Sequence, residues 1–234
     1  MPSLPDGYRA LVIGASGAIG AAFVAHLQSD PRCGRVDALH RGSQPSIDYD
    51  DETTVGAAAA ALGSAAPTQP LHLVLVATGV LHSGGAMAEK RLGDLAYPSL
   101  EAVFRRNTFG PALVLRHFGP LLCRQRSLLA VLSAKVGSIG DNRLGGWYGY
   151  RASKAALNML LRTAAIELRR THPGAVLAAI HPGTVSSTLS RPFRGDEIGR
   201  DPMQAAAEML LALDGLGPDD SGTFMACDGQ RLPW

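Results

Sequence analysis

A short apolar run, Ala10-Leu11-Val12-Ile13, enters the glycine-rich turn Gly14-Ala15-Ser16-Gly17-Ala18-Ile19-Gly20, and a helical pattern follows from Ala21 to Gln28. Strand, glycine turn and helix start are the three parts of a phosphate-binding loop. Glycines let the backbone approach a pyrophosphate, and the helix N-terminus offers free N–H groups and the positive end of its dipole. A tight turn without a ligand is the plainer reading of a lone glycine cluster; the flanking strand and helix argue against it.

Further strand-like runs follow at Arg35–His40, around Ser46-Ile47-Asp48, at His72–Ala77, Leu128–Ser133, Ala175–Ile180 and Gly222–Ala226. Helical stretches lie between them at Thr54–Leu62, over residues 98–122, at Ala152–Arg170 and at Met203–Leu213. The alternation predicts an α/β fold, a Rossmann-type doubly wound parallel sheet of about seven strands. Too few residues separate His40 from Ser46 for a crossover helix, so the helix between the second and third strands is expected to be missing or shortened. Ligands in such a sheet bind at the carboxyl ends of the strands, where Gly14, Arg41, Gly79, Ser133 and Pro182 all fall. No linker or charge run divides the 234 residues. One domain over 1–234 is therefore expected, with a cofactor half at about 8–135 and a catalytic and substrate half at about 136–234.

Tyr150 and Lys154 stand four positions apart at a helix start, hence on one helix face. A phenol is a poor acid or base at neutral pH. A cation beside it favours the phenolate, and a tuned phenol serves as a general acid or base. An isolated Tyr-x-x-x-Lys is short and common; this one follows a glycine-rich loop in a chain that already carries a phosphate-binding turn. Arg41 sits at the tip of the second strand, where an acid would bind a ribose 2′-hydroxyl and a base accommodates a 2′-phosphate. Asp37 is too early in that strand, so NADP is favoured over NAD unless Arg41 is only a loop cation. Pro111 has no N–H for the carbonyl of Asn107 and should kink the helix there, either freeing an acceptor for function or leaving it to water. Residues 184–201 carry no periodicity and read as a mobile segment over a cleft. The Tyr150 helix is apolar over much of its circumference, more than one buried stripe requires, which points to a partner subunit.

Composition excludes several classes. A net charge of +2 offers no basic surface for nucleic acid. No apolar run reaches the length of a membrane helix, and residues 1–8 lack the features of a signal peptide. Cys33, Cys123 and Cys227 are far apart and odd in number, as reduced cysteines of a cytoplasmic protein would be. The histidines show no ligand spacing, so no metal is assigned, and His181 reads as structural before Pro182.

The sequence resembles the short-chain dehydrogenases/reductases over nearly its whole length. The motifs that carry the resemblance are the N-terminal GASGAIG, Asn107, Tyr150-Arg151-Ala152-Ser153-Lys154 and His181-Pro182-Gly183-Thr184-Val185, in the family's order. VATGVLH at 76–82, VGSIGDN at 136–142 and YRASKAALN at 150–158 are similar to the C-factor-like or sniffer-like carbonyl reductase branch. The resemblance implies an NAD(P)H-dependent oxidoreductase, NADP-preferring, interconverting a small carbonyl compound and its alcohol, and acting as a homodimer or homotetramer. The alternative is a nucleotide-binding signalling or scaffold protein of the C-factor type. By the same resemblance Gly14, Ser16, Gly17 and Ile19 would hold the pyrophosphate, and Asp48 and Tyr49 the adenine. Ala77, Thr78 and Gly79 would line the sugar side, while Pro182, Gly183, Val185 and Ser187 would fix the nicotinamide amide. Tyr150 would give the proton, Lys154 would bind the nicotinamide ribose and lower the phenol's pKa, and the Asn107 carbonyl would hold a relay water.

The chain departs from the family at Ala18, where many members have glycine, and at Val76-Ala77-Thr78-Gly79 in place of Asn-Asn-Ala-Gly. The third departure is the catalytic serine. Counting three back from Gly137 gives Ala134. Ser133 is preferred for the role if the strand loses its pleat at its last residue, since in a regular strand it would face the opposite side. Ser138, twelve residues before Tyr150, comes next, and the absence of any such serine is the third reading.

Overall fold

The computed structural model describes residues 1–66, 68–81 and 87–234, so that His82 of the VATGVLH stretch lies outside the described residues. Six parallel strands form one sheet: β1 (Tyr8–Ile13), β2 (Cys33–Leu39), β3 (Leu73–Val76), β4 (Ser127–Leu132), β5 (Ala175–His181) and β6 (Thr223–Ala226), in spatial order β2-β1-β3-β4-β5-β6. β1 pairs with β2 on one side and with β3 on the other, Ile13 lying opposite Leu39 and Val76. The chain therefore leaves β1 in opposite directions, and a crevice opens at the carboxyl ends of β1 and β3.

Both faces of the sheet are covered, which is why its central strands read as unbroken apolar runs. Leu11, Ile13, Leu129 and Val131 pack under α2 (Thr53–Ala65), α4 (Gly110–Phe118) and α5 (Tyr148–Leu168). Ala10, Val12, Leu128 and Ala130 face α1 (Ala18–Ser29) and α7 (Pro202–Asp214).

Six strands stand where about seven were expected. The run around Ser46-Ile47-Asp48 never reaches the sheet, because its N–H groups are used locally. Ile47 N donates to the His40 carbonyl and Asp48 N to Thr54 Oγ1, and Asp48 forms only an antiparallel bridge to Asp51. Ile47 is nonetheless buried in the core. No helix intervenes between β2 and α2, as the spacing predicted.

The long helix expected over 98–122 is interrupted. It runs as α3 (Tyr97–Phe104), a π-helical segment Arg105–Phe109, α4, and a final 3₁₀ turn Gly119–Leu121. Residues 184–201, without periodicity in sequence, carry a 3₁₀ turn Arg191–Phe193 and the four-residue α6 (Gly195–Ile198). They are closed at their base by a bridge between Val185 and Arg200. Among the described residues, no helix is long and apolar enough to cross a membrane. Cys33, Cys123 and Cys227 are free thiols.

Candidate active site

Gly14 leaves β1 with φ +86, a backbone conformation that favours glycine. A Cβ there would lie 2.7 Å from the Ala77 carbonyl oxygen, so glycine also lets the ends of β1 and β3 come together. α1 starts just beyond, with Gly17 before its first turn and no side-chain cap, which leaves N–H groups facing the crevice. Ser16 and Gly17 are exposed there, whereas Ile19 turns inward and packs on the α1–α7 core.

A cleft of about 270 Å³ runs along these strand ends, lined among others by Gly14, Ser16, Gly17, Arg41, Asp48, Tyr49, Ala77, Thr78 and Gly79. His40, Val80 and Arg106 also line it and were not singled out in the sequence. Arg106 arrives on the π-helical segment and is held by Asp50 at 2.8 Å, a placement that no local pattern announces. Arg41 is exposed at the rim and, among the described residues, forms no ion pair. Asp37 has both oxygens engaged, one by Arg9 and one by Arg35, each at 2.7 Å, so it is not available to a ribose. The Tyr49 ring lies against Gly110, where a Cβ would stand 2.1 Å from Cδ2. Its hydroxyl accepts from Thr78 Oγ1 at 3.3 Å, and burial pushes its pKa up. The glycine turn, the exposed Arg41 and the cleft's position at the switch point fit a dinucleotide phosphate.

Tyr150 and Lys154 come from the first two turns of α5, and both are buried. Lys154 Nζ donates to the Leu132 carbonyl at 2.8 Å and lies 5.9 Å from the centre of the Tyr150 ring. A Cβ on Gly79 would stand 3.4 Å from Nζ and 3.3 Å from Asn107 Oδ1. The lining of the cleft therefore meets Lys154 and Asn107 at Gly79. The sequence led us to expect a phenol lowered by its lysine. Here burial raises Tyr150 to about 12 and lowers Lys154 to about 7, because taking either charge out of water is costly.

Asn107 is wholly buried in the π-helical segment. Its amide donates to the Val80 carbonyl and accepts from Val80 N, both at 2.8 Å, and donates to Ser153 Oγ at 3.1 Å. Ser153 Oγ in turn donates to the Tyr150 carbonyl at 2.8 Å. The end of β3 is thus tied through Asn107 to the first turns of α5. π-turns are frequent at functional sites.

Ser133 lies one residue past β4 and keeps the strand's alternation. Its Oγ donates to Asn158 Oδ1 at 2.7 Å, on the α5 side. Ser138 Oγ donates to the Trp234 carbonyl and accepts from Asp141 N. Among the described residues, neither hydroxyl is hydrogen-bonded to Tyr150. Ala134 forms a small apolar cluster with Tyr150, Leu81 and Ala88, flanked by Val136 and Trp147. Arg151 closes the glycine-rich loop over this cluster by donating to the carbonyls of Val136, Gly145 and Gly146. Past β5, Gly183 takes φ +78, Val185 is buried, and Ser187 Oγ is hydrogen-bonded to Ser190 Oγ at 3.1 Å.

Comparison with known proteins gives the family and the fold. Residues 16–216 match the family described as enoyl-(acyl carrier protein) reductase. The 1-hydroxy-2-glutathionyl-2-methyl-3-butene dehydrogenase of Rhodococcus sp. (strain AD45) is 32% identical over 191 residues, 82% of this chain and 80% of the relative. C-signal of Myxococcus xanthus is 36% identical over 145 residues, 61% of this chain and 83% of that protein. Among solved structures, the NADPH-bound carbonyl reductase from chicken fatty liver superposes with a TM-score of 0.79 at 27% identity, covering 99% of this chain and 100% of the other. Carbonyl reductase Sniffer of D. melanogaster shares the fold, with a TM-score of 0.84 at 20% identity over 97% of this chain and 99% of that one.

Proposed function

The chain belongs to the short-chain dehydrogenase/reductase family, and on that premise we propose that it is an NADP-preferring oxidoreductase interconverting a small carbonyl compound and its alcohol. The observation that carries this reading is the pairing of Tyr150 and Lys154 on one buried helix face, with Lys154 Nζ beside Gly79, a residue that lines the same cleft as Gly14. A nicotinamide cofactor held in this cleft would supply or accept the hydride. The phenol of Tyr150, held protonated by burial, gives its proton to the substrate oxygen in reduction. Lys154 Nζ would hold the nicotinamide ribose hydroxyls and, when charged, favours the phenolate that remains. Gly14, Ser16, Gly17 and the main chain of Ile19 would cradle the pyrophosphate, and Pro182, Gly183, Val185 and Ser187 would hold the amide end. We assign the proton-donor role to Tyr150 without a serine: Ala134, at the position that the family pattern gives to the serine, packs in the apolar cluster with Tyr150, and the Ser133 hydroxyl is bonded to Asn158.

The test is Tyr150→Phe, assayed by NADPH oxidation over a panel of aldehydes, ketones and quinones. Turnover should vanish while NADPH binding survives; a variant as active as the wild type rejects the mechanism. A second reading is favoured by Ala134 and by the likeness to C-signal: a nucleotide-binding signalling or scaffold protein. Tight NADPH binding with no turnover across the panel selects it.

Phe109, Met159 and Ile166 are 52%, 67% and 57% exposed on the π-helical segment and α5. We assign these helices to a homodimer or homotetramer contact, against which a monomeric mass at micromolar concentration would count. The free thiols suit a cytoplasmic location.

A further inference from the structure

Glu89 is 7% exposed, and among the described residues no cation pairs with it. Buried carboxylates are costly unless their charge is compensated. The compensation comes from α5. Glu89 Oε2 accepts from Gly149 N at 3.1 Å, and the main-chain carbonyl of Glu89 accepts from Trp147 N. These contacts hold both ends of the tripeptide that leads into Tyr150.

The start of α5 lacks the usual local device. Helix N-termini are commonly capped by a Ser, Thr, Asp or Asn side chain. Here the preceding residue is Trp147, held at φ 53, with no side-chain cap hydrogen bond, and an indole has no acceptor to offer. The acceptor is instead brought in from a residue 60 positions earlier. A carboxylate is favoured there by the free N–H groups and the positive end of the helix dipole. Gly149 makes the approach possible, since a Cβ on it would stand 2.8 Å from Glu89 Oε1. The neighbouring Ala88 belongs to the apolar cluster around Tyr150, and the Trp147 ring meets the Tyr150 ring edge-on with centroids 6.3 Å apart. One dipeptide, Ala88-Glu89, therefore builds part of the wall beside the phenol and fixes the helix start that carries it.

We infer that Glu89 is a positioning residue for Tyr150: it caps α5 from outside the helix and holds the phenol in its place. The inference rests on the reading of Tyr150 as proton donor, and its test is read separately from turnover. In protein labelled with ring-¹³C tyrosine and ¹⁵N, Tyr150 is assigned from Tyr150→Phe and Gly149 from its amide. Glu89→Ala should move both resonances and speed hydrogen exchange in the first turn of α5. Glu89→Gln, which keeps an acceptor, should leave the ring resonance near its wild-type position. With a substrate from the carbonyl panel, Glu89→Ala should lower kcat by about 10–100-fold, the scale of a small misplacement of a reacting group. NADPH affinity should stay within about twofold, and Glu89→Gln should recover most of the rate, its neutral acceptor making a weaker bond than a charged one. Should Glu89→Ala fail to fold, Gly149→Ala serves, because its methyl displaces the carboxylate and should give the same kcat loss. Unmoved Tyr150 and Gly149 resonances in the alanine variant overturn the inference, as does a loss spread over the whole chain and over NADPH binding. If the wild type turns over no panel substrate, the reaction reading falls, and the two resonances still decide whether Glu89 holds the helix start.

Discussion

Asn107 and Val80 are joined as two strands would be: the side-chain amide gives one hydrogen bond to the Val80 carbonyl and takes one from the Val80 N–H, each at 2.8 Å. A third bond, to Ser153 Oγ, extends the contact to α5. The side chain must both donate and accept, which an amide does and a carboxylate does not. Asn107→Asp sets an anion against the Val80 carbonyl and leaves two buried acceptors without their donor. At ~1–3 kcal/mol for each buried polar group left unpaired, a loss of several kcal/mol is expected, or roughly 2–4 °C of Tm per kcal/mol for a chain of this size. Thermal unfolding of the variant beside wild type checks it; an unchanged Tm would show that the amide pairing contributes nothing to stability.

Arg41 should decide between the two nicotinamide dinucleotides. It stands at the cleft rim without an ion pair among the described residues, while Asp37 is held by Arg9 and Arg35. Arg41→Ala should weaken NADPH by about 10-fold or more, a charge-assisted contact being worth ~1.5–3 kcal/mol, and leave NADH within about twofold. Equal shifts for both nucleotides, measured by fluorescence titration, would reduce Arg41 to a loop cation.

Much of this arrangement was legible in the chain. Val74 and Val131 sit in strands buried on both faces, so the runs that contain them are apolar without alternation. Gly14 announced itself because a strand precedes it and a helix follows. The spacing of Tyr150 and Lys154 fixes a shared helix face whatever surrounds it. What spacing does not carry is environment. The lysine four residues away suggested a lowered phenol, but the burial that raises it comes from Leu81, Ala88 and Ala134, remote in sequence. Pro111 marked a break in the helix at Asn107, but not the bonds that the Asn107 side chain makes to Val80 and Ser153, nor the cap from Glu89, whose acceptor stands 60 residues from its donor. Ser46-Ile47-Asp48 misled because an isolated buried Ile has the same local pattern in a coil as in a strand.

Lys154 should leave a signature in stability against pH. Its folded value near 7 lies below the ordinary 10.5, so between those values the unfolded chain binds a proton that the folded chain lacks. Stability from this group then rises with pH across the window, is fully present above the unfolded value, and is lost as pH falls through about 7. Lys154→Met removes the titration. The variant should gain Tm relative to wild type as pH falls from 10 toward 7 and level off below it, in nucleotide-free protein. A pH-independent difference would mean that the ammonium remains solvated in the fold.

The serine question ends in two substitutions with opposite expectations. Ser133 spends its hydroxyl on Asn158 Oδ1, so Ser133→Ala should leave turnover within about twofold and lower stability by about 1 kcal/mol, the usual worth of one such bond. Ala134, by contrast, packs in the apolar cluster with Tyr150, and on the proposed mechanism a hydroxyl there would be a second donor to the substrate oxygen. One donor to a developing oxyanion is worth roughly 10²–10³ in rate when it has been built in. Ala134→Ser introduces that donor into surroundings shaped for a methyl, so part of the factor is expected, about 10-fold in kcat with KM little changed. Steady-state kinetics on a single carbonyl substrate measure both variants. If Ser133→Ala abolishes turnover, the bond to Asn158 is a resting arrangement that opens during reaction. If Ala134→Ser slows the enzyme instead, the apolar contact with the phenol matters more than a second donor.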